Sequence, residues 1–181
     1  MDRFLICLPF TLAQECSFSN DWSNPKNFSD DAHDPGGATM CGITQREYDL
    51  WNKSHGLPTQ DVRRMTAGEG QAIYRAGYWL PHCPALQAGP DLFFFDTSVN
   101  MGSHRAVLLL QASLGVEVDG DWGPVTTQAV SGCKDWAAAI KDEENRRAAV
   151  YRSFGTFRWF GIDWIKRDQE IGAEALKMVG T

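Results

Sequence analysis

The sequence predicts a mainly α-helical fold, and three features carry that prediction. Two Thr-x-x-Glu capping boxes, at Thr44 to Glu47 and at Thr66 to Glu69, each satisfy two backbone donors at a helix start. Apolar residues recur at three- and four-residue spacing along most of the chain. The strict alternation that marks a half-buried strand is nearly absent.

The elements follow in order. The opening residues form a first helix that closes near Glu15. The stretch from Ser17 to Gly37, rich in Ser, Asn, Asp, Pro and Gly, is a long loop of the kind that usually carries function. Thr44 opens a helix to about Ser54, and Thr66 opens one bearing Ile73, Tyr74 and Tyr78; Pro58 and Pro81 punctuate them. Pro90 suits a first helical turn, from which a helix runs through Phe93, Phe94, Phe95 and Asp96 to Asn100 and Gly102. Leu108, Leu109, Gln111 and Leu114 continue the spacing to a stop at Gly115. A turn-rich connection then leads to Pro124, which begins a short helix to Val130. Two longer helices cover about 134 to 154 and 163 to 178.

Composition narrows the function. The chain has 181 residues, enough to bury a core without cross-links, and seven Trp, ten Phe and four Tyr argue against disorder. With 17 basic and 23 acidic side chains, a net charge of −6 and no basic stripe, it is not built to bind nucleic acid. The longest apolar run, Phe4 to Ala13, is too short to span a bilayer and is interrupted by Pro9. It is followed by Gln14-Glu15-Cys16 instead of a small-residue cleavage site, so it reads as a helix and not as a signal. The five Cys are irregularly spaced with no C-x-x-C and read as buried free thiols, while the four His lack metal-binding spacing. No metal or cofactor is expected.

Glu15 is the first candidate for chemistry. At a helix C-terminus, the negative end of the dipole and an aromatic-rich neighbourhood both disfavour the ionised carboxylate, so Glu15 is expected to hold its proton towards neutral pH. Such a group can protonate a departing glycosidic oxygen. The second feature is Asp34-Pro-Gly-Gly-Ala-Thr39-Met-Cys-Gly42-Ile-Thr44, whose glycines permit close backbone approach at the floor of a cleft; a tight turn ahead of a helix cap is the other reading. Asp96 and Asn100 stand one helical turn apart and suit either sugar acetamido groups or a local bond beside the core.

Taken together, the helix ending in Glu15, the D-P-G-G-A-T-x-x-G-I-T run, Tyr48 and Trp51, Ile73-Tyr74, Tyr78-Trp79 and Phe95-Asp96-x-x-Val99-Asn100-x-Gly102 resemble glycoside hydrolase family 108, the lysozyme-like N-acetylmuramidases of phage endolysins and bacteria. The resemblance extends from about Phe4 to Gly132. It implies a lysozyme-like helical domain that cleaves the β-1,4 bond between N-acetylmuramic acid and N-acetylglucosamine, with Glu15 as general acid. The family's E-G-G motif stands here as Glu15-Cys16-Ser17, and the loop to Asp34 is longer than the family's usual spacing. By analogy with lysozyme-like folds, Asp34 is the chosen second carboxylate, with Asp30 and Asp31 as competitors. Thr39 is the hydroxyl assigned to catalysis; Thr44, Tyr48, Asp96, Asn100 and Trp122 are assigned to substrate. Two carboxylates about 5 Å apart would imply a covalent intermediate, and roughly 6.5 to 9.5 Å an attacking water.

Leu110-Gln111-x-x-Leu114-Gly115, with Asp119-Gly120-x-Trp122-Gly123-Pro124-x-Thr126, resembles the L-Q-x-x-L-G-x-x-x-D-G-x-x-G-P-x-T signature of small helical peptidoglycan-binding modules. The Trp122 face suits a sugar ring, or the turn is purely structural. The expected organisation is thus a muramidase core over 1–103 and a peptidoglycan-binding-like helical segment over 104–181. The expected partner is peptidoglycan, without stable membrane insertion, and the expected state is a monomer. With no clear signal, the chain is expected to be made in the cytoplasm and to reach the wall after release, as with a holin. A non-catalytic peptidoglycan binder of the same fold is the rival reading, and a Cys41-based peptidase a remoter one.

Overall fold

The computed structural model describes residues 1–18, 21–30 and 37–180. Eight α-helices and one small sheet lie among them, a mainly α, lysozyme-like fold. Packing divides the chain into two compact units, Asp2–Gly77 and the residues from Tyr78 onward.

In the first unit, α1 spans Arg3–Glu15, and the Asp2 carboxylate accepts the Phe4 N–H at its start. Phe4, Cys7, Leu8, Thr11 and Leu12 are buried, the i, i+3, i+4, i+7, i+8 stripe of an amphipathic helix. The helix closes where Cys16 turns extended while its N–H still donates to the Leu12 carbonyl. The expected loop after it contains a 3-10 turn, Pro25–Asn27, and a two-residue strand, β1 (Phe28–Ser29). The buried Asn27 side chain gathers this loop, accepting from the Phe18 N–H and donating to the Phe18 and Asp21 carbonyls. Strands β2 (Thr39–Met40) and β3 (Ile43–Thr44) complete an antiparallel sheet in the order β1-β2-β3. Strands of two residues are too short to show alternation in sequence. Both capping boxes form, at the start of α2 (Gln45–Ser54) and of α3 (Ala67–Tyr74). After α3 the chain passes through a π-helical turn, Arg75–Trp79, within which the division between the units falls.

The second unit is built on α4 (Pro90–Met101), buried at every position from Pro90 to Ser98. Three consecutive Phe can all be core here because α5 (Ser103–Leu114), α7 (Trp136–Ser153) and α8 (Phe157–Met178) surround the helix. Gly102, at φ 85°, separates α4 from α5, where the apolar spacing alone suggests continuity. Helix α6 runs Pro124–Gly132, and α8 begins at Phe157, ahead of the expected start near 163. No helix among the described residues is long and apolar enough to cross a membrane.

The peptidoglycan-binding-like signature has a local explanation. The buried Gln111 amide donates to the Asp119 carboxylate, the Asp121 carbonyl and the Thr126 hydroxyl, and its oxygen accepts the Asp119 and Gly120 N–H groups. A Cβ on Gly120 would stand 2.0 Å from the His104 ring, so only glycine fits. In this chain one side chain, Gln111, thus ties Asp119, Gly120 and Thr126 into one turn. Gln111→Leu should cost about 2–4 kcal/mol by orphaning buried partners. Thermal denaturation should then show a Tm lower by about 5–12 °C; an unchanged Tm would contradict this role.

Candidate active site

The site forms where α1 ends against the β2–β3 hairpin. Met40 pairs with Ile43 and Thr39 with Thr44, which leaves Cys41 and Gly42 as a two-residue loop. Both have positive φ, 47° and 74°, the left-handed pair that matches strand twist in a tight hairpin. For a non-glycine residue this conformation costs about 1–2 kcal/mol, so Cys41 must be held. Its N–H donates to the Asn27 carbonyl at 3.1 Å, its carbonyl accepts the Tyr74 hydroxyl at 2.8 Å, and its sulfur is bonded to Cys16.

That disulfide corrects the reading of the cysteines as free thiols. Cys16 and Cys41 are 25 residues apart in sequence and 4.7 Å apart between Cα atoms. A loop of that length constrains the unfolded chain by about 3 kcal/mol. Cys7 and Cys83 are buried thiols and Cys133 is half-buried. With its sulfur in the bond, Cys41 is no thiol nucleophile.

Gly42 is the contact point with Glu15. A Cβ at this position would lie 2.7 Å from Glu15 Oε2 and 2.8 Å from the Tyr74 hydroxyl. The carboxyl and the phenol thus share the small space that the missing side chain leaves. Glu15 is half-buried and Gly42 exposed, so this space opens to solvent. Behind it, Tyr74 meets the buried Trp22 edge to face, with centroids 6.5 Å apart. Trp22 in turn lies over Gly70, where a Cβ would fall 2.1 Å from its ring. A glycine in α3 therefore lets an aromatic pair back the acid.

Comparison with known proteins bears on this arrangement. The glycosyl hydrolase 108 family model matches residues 9–102, a span that contains Glu15, the hairpin and Tyr74. The chain belongs to glycosyl hydrolase family 108. It is similar to a solved structure, that of Brucella abortus SagA, with 29% identity and a TM-score of 0.81 over 99% of this chain and 97% of that one. No curated protein sequence matches it. Family 108 membership makes the chain a glycoside hydrolase of the lysozyme-like, peptidoglycan-hydrolysing kind.

The remaining residues singled out from the sequence of this family 108 hydrolase fall in several places. Asp31 and Asp34 lie outside the described residues, and Asp30 is exposed. Thr39 and Thr44 are cross-strand partners, which brings both hydroxyl candidates onto one hairpin. The Thr39 hydroxyl donates to the Gly37 carbonyl at 2.8 Å. The Thr44 hydroxyl donates to Glu47 and accepts its N–H, so it is occupied as a helix cap. Tyr48 is fully buried, its hydroxyl donating to Glu69 and accepting from Gln60. It is a core residue and cannot touch a sugar. A cavity of about 660 Å³ lies on α2 between Arg46, Leu50, Lys53 and Leu57, and Glu15 does not line it.

Asp96 is likewise corrected from substrate contact to core. It is fully buried, and its carboxylate accepts from Arg147 at 2.7 Å and from Arg167 at 2.8 and 3.1 Å. Burial pushes its pKa up, but the two guanidiniums outweigh burial and hold it below the ordinary value. Asn100 is half-buried and accepts the Tyr151 hydroxyl at 2.6 Å; Arg147 in turn donates to Tyr151. Trp122 is half-buried with one face stacked on His82 at 4.6 Å and its edge against Phe94.

Gly42 and Glu143 can each be tested by substitution. Gly42→Ala should displace Glu15 and cut hydrolysis by at least about tenfold, with the usual left-handed penalty of about 1–2 kcal/mol. Gly56→Ala, also at positive φ but with open space where its Cβ would stand, should carry a similar stability cost with activity unchanged. Equal activity of the two variants would refute the contact. The second concerns Glu143, beside the charge cluster: burial raises its pKa to about 8, Arg147 opposing and Asp142 adding to the rise. The folded state then keeps a proton that the unfolded chain releases near 4.5, so its contribution to stability declines as pH rises from there to about 8. The slope is about 1.4 kcal/mol per pH unit. Glu143→Gln should flatten the Tm–pH curve by about 3–5 °C per unit in that window; parallel curves would contradict the assignment.

Proposed function

We propose that this chain is an N-acetylmuramidase that cleaves the β-1,4 bond between N-acetylmuramic acid and N-acetylglucosamine, with Glu15 as the general acid. The observation that carries the reading is the close approach of Glu15 to Gly42 in a space open to solvent and backed by Tyr74 and Trp22. Glycosidic cleavage leaves charge on a poor leaving oxygen, and a proton placed there in the transition state contributes about 10²–10⁴-fold in rate. A half-buried carboxyl, held between a helix end and a hairpin, is suited to that step.

Thr39 stands on the hairpin that carries Gly42, and we assign it and Asp34 to the water or to the developing oxocarbenium ion. The distance from Asp34 to Glu15 would then set the stereochemical outcome. The substrate lies outside the inner membrane, and release from the cytoplasm, as by a holin, is part of the proposal.

Turbidity of outer-membrane-permeabilised Gram-negative cells tests it. Wild type should lyse them, with fragments ending in reducing muramic acid by mass spectrometry, and Glu15→Gln should be at least about 100-fold slower. Intact lysis by Glu15→Gln would overturn the assignment of the acid, and absence of lysis by either protein would favour a non-catalytic peptidoglycan binder of the same fold. The net charge of −6 gives a separate expectation. Without cationic attraction to the wall, activity should fall little, or rise, between low and physiological salt; a steep loss would contradict it.

A further inference from the structure

Resting on the assignment of Glu15 as proton donor, we propose that the Cys16–Cys41 disulfide is a positioning device for that carboxyl, so that catalysis itself, and not only folding, depends on the closed bond. Cys16 is the residue after Glu15 and the point where α1 turns into extended chain. The last turn of a helix lacks partners for its carbonyls and is where helices fray. Glu15 occupies that turn, so whatever holds Cys16 constrains its direction.

The other end of the bond is firmly anchored. Cys41 is tied through its N–H to Asn27 and through its carbonyl to Tyr74, which rises from α3. Its neighbour Gly42 is the surface against which Glu15 Oε2 rests. One covalent link therefore joins the residue beside the acid to the residue beside the wall that the acid leans on. A displacement of about 1 Å in a catalytic group costs on the order of 100-fold in rate, and thermal fraying of one helical turn exceeds that displacement. Opening the bond leaves α1 ending near the hairpin but removes the covalent constraint on the carboxyl's register there.

The bond opens when a dithiol such as dithiothreitol supplies two electrons and two protons, giving two cysteine thiols and the cyclic disulfide of the reagent. Four proteins test the proposal: oxidised wild type, reduced wild type, the Cys16→Ser/Cys41→Ser double variant, and Glu15→Gln. Each is assayed for kcat, KM and the pH dependence of kcat on soluble peptidoglycan glycan fragments, well below its own Tm. A positioning role predicts that reduction and the double variant each lower kcat by about 10- to 100-fold, with KM changed less than about threefold. It also predicts a shifted alkaline limb of the kcat–pH profile, and reoxidation of the wild type should restore both. A lower Tm with kcat and the alkaline limb unchanged would make the bond merely structural and overturn the proposal, as would failure of both open forms to fold. Activity in Glu15→Gln would instead defeat the functional reading, and so the two failures are told apart.

Discussion

The site depends on one close approach: a helix end and a hairpin turn meet at a position where no side chain fits. Gly42 leaves room for one carboxyl oxygen and one phenol, and the rest of the first unit keeps that room the right size. The capping box at Thr44 starts α2 as the hairpin ends, and the box at Thr66 starts the helix that brings Tyr74 to the Cys41 carbonyl. Gly70 admits Trp22 behind Tyr74. Asn27, buried in the loop after α1, gathers that loop and offers its carbonyl to Cys41. Each of these is a local preference of the chain, and each acts on the same few ångströms around Glu15.

The second unit solves a different problem. Its central helix is buried all round, and the charge it carries is matched from two directions by Arg147 and Arg167. Removing one member of such a set leaves an uncompensated buried charge, at a cost of about 3–5 kcal/mol. Burial also pushes Asp168 up to about 7 against the pull of Arg147, with Glu144 adding to the rise. Glu143 and Asp168 are thus two buried carboxyls of this unit whose protonation is coupled to folding.

Features with a local cause were legible in the sequence. The stripe on α1 and its end at Glu15, both capping boxes, the helix starts at Pro90 and Pro124 and the stop at Gly115 all follow from spacing and end chemistry. The family was legible because its motifs sit in order along the chain. What sequence did not reveal depends on partners far along the chain. Asp96 and Asn100 do share a face, but that face meets Arg147 and Tyr151, each 51 residues on, instead of a cleft. Tyr48 has helical spacing, which gives a side but not what covers it. The Cys16–Cys41 bond has no local signature at a separation of 25 residues. Gly42 stood in a recognised glycine-containing run, yet only the fold shows that its missing side chain is the seat of the acid.

The account turns on whether Glu15 gives its proton to the departing oxygen. Leaving-group dependence measures this most directly, because an acid is needed less as the leaving group improves. Glu15→Gln should slow cleavage of a muramic-acid-containing glycan at least about 100-fold more than cleavage of an aryl glycoside with an acidic phenol as leaving group. Equal slowing of both substrates would contradict the account and move the proton donor elsewhere.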